Sequence, residues 1–308
     1  MTVGTLAGTL TGTLTGTLTG TLTGTLTGRT LSGLRHSMGD SLVGLVAGSD
    51  AHAQRERIHD RPGPRWFEQG RPIRQVHADA SMFVGGLSAL LLQSLHPLAM
   101  AAVEGHSGYR GDPWGRLQRT SAFLAMTTFG VDDDAEAAVA RVRAVHGHVS
   151  GISPDGRRYR ASDPHLLSWV HAAEVTSFLN AHQRYGARPL NRRGCDAYVA
   201  DTAVVAGRLG VLDPPLTQDA LQAQLRAFRP EIRSTGQSRA AARFLLLHPP
   251  VPWALRPAYA VLSAAAVELM PRWARAPLGL PYLPVVEPTV VRAAGQVLTA
   301  GIRYVLTG

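Results

Sequence analysis

The chain has 308 residues, of which 45% are hydrophobic, 17% charged and only 6% aromatic. With a mean hydropathy near zero, that composition excludes wholesale disorder and supplies a sizeable core, enough for one large domain or two modest ones. The formal charge of +9 comes from 31 basic residues against 22 acids; every base is Arg, which excludes a P-loop lysine, a Schiff-base lysine and a Ser-Lys dyad.

The one cysteine, Cys195, excludes a disulfide scaffold, a cysteine-rich zinc module and an iron–sulfur protein. Nucleic-acid binders cluster their cations on one helix or patch. Here the densest runs are short (Arg55/Arg57, Arg157/Arg158/Arg160, Arg192/Arg193), so a solvated basic surface is expected and nucleic acid is not an expected partner.

Residues 4–28 repeat Thr-Gly-Thr-Leu. A period of four fits neither a strand nor a helix, so a disordered tail is expected over 1–37, followed by a helical domain over 38–308. Arg29 and Arg35 precede the short apolar run Leu42-Val43-Gly44-Leu45-Val46-Ala47, with Ala51-His52-Ala53 resembling a cleavage site. Asp40 and Asp50 flank that run and it is short for a signal peptide. A cytoplasmic location is therefore expected, with export as the alternative. No apolar run reaches the ~18–20 residues that span a bilayer. Met82–Leu95 comes closest and is expected to be a buried helix; peripheral membrane contact stays open.

The remainder predicts helix after helix. Asp112 before Pro113 is an N-cap with Pro at N1, opening a helix to Phe129 that Gly130 closes. Asp132–Asp134 opens the next, to about Val149. Arg157–Ala161 suits one strand of a small ribbon after the turn Ser153-Pro154-Asp155-Gly156. Asp163-Pro164 repeats the cap signature for a helix ending at Tyr185-Gly186. Further helices are expected near Arg193–Leu209, Thr217–Phe228, Ser238–Leu247, Pro257–Met270 and Pro288–Val305, with Pro-rich joints between several of them. No strand–helix alternation occurs, so the expected fold is all-α.

Three segments offer chemistry. His96, before Pro97, reads as a helix C-terminal cap favoured by the dipole. Arg116 and Thr120, four apart, share a helix face with Phe123, Leu124 and Thr127. An Arg there needs an anion or acceptor: a protein carboxylate, a cofactor carboxylate or an oxygen species. Val139, Val142, His146 and Val149 form one apolar stripe containing His146, and Leu167, His171, Val175 and Phe178 form a second containing His171. His148 points about 200° away from His146. Each inward histidine suits a hydrogen-bonded core residue or a cofactor ligand.

No Cys-x-x-Cys-His, Gly-x-Ser-x-Gly, Gly-x-Gly-x-x-Gly or His-Glu-x-x-His motif exists, and His171-Ala-Ala-Glu174 is a single, reversed fragment of a di-iron motif. Elimination leaves a non-covalent b-type haem with one neutral His ligand as the group best suited to an all-α pocket.

The stretches Gly63–Phe67, Met82–Gly86, Leu90–Pro97, Glu104–Ser107, Asp112–Thr120, His146–Val149, Asp155–Tyr159, Asp163–Phe178 and Arg184–Gly186 together resemble the mpaB/rubber-oxygenase catalytic-domain family. The resemblance covers about residues 60–305 and implies an α-helical b-haem protein that uses O2, cleaving C=C bonds of isoprenoid chains in its characterised branches. It places the family's Arg-x-x-x-Thr element on Arg116 and Thr120, lining the distal side of the haem. Its His-x-x-Val element falls on His146 as the iron ligand, with His171 as the fallback. Arg119 stands where rubber oxygenases carry a Lys that approaches the iron, and a guanidinium cannot ligate metal. Glu104 is the nearest candidate for a catalytic Glu. The resulting expectation is a haem-b oxygenase acting with O2, through an unidentified redox partner, on an apolar isoprenoid- or lipid-like substrate. The alternative is a haem-binding or sensor protein without turnover, or a helical module that has lost the cofactor.

Overall fold

A computed structural model describes residue 44 and residues 51–106, 108, 111–249 and 251–306. The repeat tail and nearly all of the leader-like run lie outside them. The helices are α1 (Ala51–His59), α2 (Pro72–His77), α3 (Met82–Gln93), α4 (Pro97–His106), α5 (Pro113–Phe129), α6 (Asp132–His148), α7 (Pro164–Tyr185), α8 (Arg192–Leu209), α9 (Gln218–Phe228), α10 (Gly236–Leu247), α11 (Arg256–Leu269), α12 (Arg272–Arg275) and α13 (Arg292–Leu306). Two three-residue strands, β1 (Ser150–Ile152) and β2 (Arg158–Arg160), pair antiparallel with Gly151 opposite Tyr159. The all-α expectation holds.

Local chemistry explains the sharpest helix starts. The Asp112 carboxylate accepts the Gly115 amide at 2.8 Å and Asp163 accepts the His165 amide at 2.9 Å, each just ahead of an N1 proline. Arg65 holds the end of α1 to the end of α5, donating to the carbonyls of Ile58 (2.7 Å) and Phe129.

Helix α7 is the axis of the molecule. Thirteen of its 22 residues are buried, Trp169 completely, and α3, α8, α9 and α13 pack around it. Its approach to α3 depends on Gly85, where a Cβ would lie 3.0 Å from the Phe178 ring and 3.1 Å from the Ala181 Cβ. One stripe of α7 is left partly uncovered: Leu167, Val170, His171 and Glu174. Their spacing of three and four residues puts them on a single face.

The sequence expectation of one helix from Pro288 fails locally. Residues Glu287–Val291 form a π-helical turn before α13 begins. Glu287 turns inward there and accepts from Arg275 at 2.8 Å while its Oε1 also accepts the Leu283 amide. Anchoring this side chain to a partner twelve residues back fixes the winding of the turn. No single described helix is long and apolar enough to cross a membrane. The pair α3 and α4 passes that test by length and composition only together, bent by 108°, and many of their residues are buried in the protein core.

Candidate active site

The uncovered stripe of α7 carries the chemistry. His171 and Glu174 keep some accessible surface, yet burial lowers His171 to about 4 and raises the Glu174 carboxyl to about 7, the nearby Arg116 charge pulling Glu174 the other way. Both shifts come from the helices packed around these two side chains, which disfavour the charged form of each. Arg116 is thus within electrostatic reach of Glu174, the protein-carboxylate partner that an inward Arg needs.

Next to this stripe runs a row of polar groups that sequence patterns did not single out. His77 of α2 joins Thr128 of α5 through Nδ1 (2.8 Å) and the Tyr198 hydroxyl of α8 through Nε2 (3.2 Å). Its ring meets Phe178 edge-on. Burial, with the His182 charge, depresses His77 to about 3, so the imidazole is neutral. Burial and the charges of Glu174 and Asp201 raise the Tyr198 phenol well above its usual value. A signal for both existed: His77 follows the buried pair Ile73 and Val76 at helical spacing, and Tyr198 lies in the stripe Cys195, Tyr198, Val199, Thr202.

Helices α5 and α6 pack on each other and carry the other expected site residues. Arg116 is half-buried, while Thr120 is exposed and donates its hydroxyl to the Arg116 carbonyl at 3.0 Å. Arg119 is exposed and reaches Asp112 at 3.2 Å. His146 is half-buried and burial lowers its pKa. Two ring nitrogens, His146 Nδ1 and His171 Nε2, are buried without a hydrogen-bond partner among the described residues. Gly147, the next residue, is exposed, and a Cβ on it would meet nothing within 4 Å.

His96 is not a helix C-terminal cap. Helix α3 has already ended at Gln93, and His96 precedes α4, its Nδ1 facing the Ala99 amide at 3.5 Å. That leaves the proton on Nε2, which faces Glu231 at 3.4 Å; the same carboxylate meets His165 Nε2 at 2.9 and 3.0 Å. The ligand atoms of His96, His165 and Glu231 lie within 4.8 Å of one another, a metal-like spacing. The hydrogen bonds of the three groups to one another and to the α4 N-terminus account for it without an ion.

No curated protein and no solved structure matches the chain. A family model does, over residues 74–300: "ER-bound oxygenase mpaB/B'/Rubber oxygenase, catalytic domain". That span holds α3–α12, the α7 stripe, the Arg116/Thr120 face and His146, all within one matched unit. The chain therefore belongs to the mpaB/rubber-oxygenase family and carries its oxygenase catalytic domain.

Proposed function

We propose that the chain is a haem-b-dependent oxygenase acting with O2 on an apolar, isoprenoid- or lipid-like substrate. The observation that carries this is the partly uncovered stripe of the otherwise buried α7, on which His171 stays neutral and Glu174 holds a proton to about pH 7. The half-buried Leu167 and Val170, on one face with a neutral His171, suit contact with a flat, apolar group that takes one nitrogen ligand. The unpartnered buried nitrogens of His146 and His171 fit that requirement.

In this reading His146 would hold the iron, with His171 as the alternative ligand, and Arg116 and Thr120 would supply hydrogen-bond donors to the oxygen chemistry. When bound, haem supplies the redox-active iron that O2 chemistry requires. The chain's own groups do the rest. Burial keeps both imidazoles neutral, so each retains a lone pair. Arg116 holds a fixed positive charge in a site of low dielectric, where charge stabilisation is strongest. Glu174, with a pKa of about 7, can hold or release a proton on its carboxyl near neutral pH. The Thr120 hydroxyl is exposed and donates to the Arg116 carbonyl of its own helix, and a rotation about χ1 would free it for another acceptor.

The test is the absorption spectrum of the purified chain with a pyridine haemochrome assay, followed by turnover of isoprenoid and lipid substrates under O2. A b-type haemochrome with a Soret band is expected. Absence of the band after reconstitution with haemin overturns the reading, and haem without turnover favours the sensor alternative.

A further inference from the structure

Residues 232–308 contain eight arginines, two glutamates and no aspartate. Both glutamates, Glu268 and Glu287, are buried, the first accepting from Arg292 and the second from Arg275. The described surface of this quarter of the chain therefore presents cations and no carboxylate; Arg239, Arg243, Arg256 and Arg272 are exposed.

The same quarter is where apolar side chains face outward. Of the seventeen exposed large hydrophobics among the described residues, eleven lie here, with Trp253 83%, Val297 73% and Val285 72% exposed. Helix α13 is inverted relative to an ordinary surface helix. Its outer face reads Ala293, Gln296, Val297, Ala300, Gly301, Tyr304, with no charge. Its two arginines point into the protein, Arg292 to Glu268 at 2.9 Å and Arg303 to Asp79 at 3.0 Å.

These segments converge. Tyr259, in the first turn of α11, donates to the Leu245 carbonyl of α10 at 2.8 Å and packs in one cluster with Leu246 and Val291. The exposed Leu247, Trp253 and Val290 each lie within six residues of those anchors. Helix α13 packs on α11 and on the π-helical turn, which continues the face.

We infer that this face docks on an anionic lipid bilayer. Exposed Trp and Tyr with valines and leucines suit the headgroup–acyl boundary, and arginines without any exposed carboxylate suit a negatively charged surface. A second copy of the chain is the poorer occupant, because two-fold pairing would bring the same arginines together. The inference is independent of haem, since binding is read on the protein alone.

The test is co-sedimentation of the full chain with phosphatidylcholine vesicles containing about one-third phosphatidylglycerol, against pure phosphatidylcholine, with unfolding curves to verify each variant. Wild type should bind the anionic vesicles and weaken by about tenfold or more on neutral ones. Val297→Glu combined with Val285→Glu should remove binding, and Arg256→Glu should weaken it roughly fivefold or more. Ile152→Glu, at an equally exposed apolar position on β1, should change nothing. Absence of wild-type binding, equal loss in the Ile152 variant, or light scattering that shows a dimer dissolved by Val297→Glu would each overturn the inference.

Discussion

Helices α7 and α13 break the usual allocation of polar and apolar groups in opposite directions. Helix α7 lies at the centre yet keeps His171 and Glu174 on a partly open stripe, where burial drives both toward neutrality. Helix α13 lies outside yet turns Arg292 and Arg303 inward and leaves Val297 and Tyr304 in contact with water. A folded chain tolerates either inversion only at a cost in desolvation or in exposed apolar surface. The contrast separates two settings: α7 carries ionisable groups among packed helices, and α13 faces outward.

The hardest test of the α7 side is the proposed ligand. His146→Ala should abolish the Soret band, with partial recovery in imidazole, whereas His171→Ala should keep haem and alter the spectrum. The reverse result transfers the ligand role to α7 itself. Next in size, Arg116→Ala and Thr120→Ala should keep haem loading and lower turnover by ~10²–10³ each; unchanged turnover in both removes them from the site.

The α13 side sharpens through its foundation. Arg275→Met leaves the buried Glu287 carboxylate without its 2.8 Å donor and should destabilise the fold by about 3–5 kcal/mol in denaturant unfolding. Gly85→Ala pushes a methyl against Phe178 and Ala181 at the α3–α7 crossing and should cost ~1–3 kcal/mol.

The last test is one of pH. His77 and His171 titrate at about 3 and about 4 when folded, below the ordinary histidine value. Between about pH 6.5 and 4 the unfolded chain binds more protons, so stability falls on acidification. Glu174, raised to about 7, acts with the opposite sign, since the folded chain holds its proton better between its ordinary value and pH 7. Two depressed histidines outweigh one raised carboxyl, and the net expectation is a loss toward pH 4. Chemical denaturation of Glu174→Gln from pH 4 to 8 should show a steeper acid loss and greater stability than wild type above pH 7.

Local signals were legible in the sequence. The Asp-Pro caps at Asp112 and Asp163, the ribbon before Arg160, and the inward setting of His146 and His171 all rest on contacts within a few residues. What the sequence hid depends on distant pairs. The π-helical turn answers to Arg275, His96 answers to Glu231 across 135 residues, and His77 meets Tyr198 across 121. Periodicity reports which face of a helix is buried but not what waits opposite it. Glu174 shows this most plainly: the spacing put it beside His171, while its raised pKa depends on packing from other helices.

Asp79, in the turn between α2 and α3, receives Arg303 from the end of α13, 224 residues later in the chain. The same carboxylate accepts the amides of Ser81 and Ala187 and so ties three separate stretches together. During synthesis this knot cannot close until residue 303 has left the ribosome. Everything between waits with a negatively charged Asp79 unmatched by its arginine, a delay in which a partly assembled chain is open to chaperones and proteases.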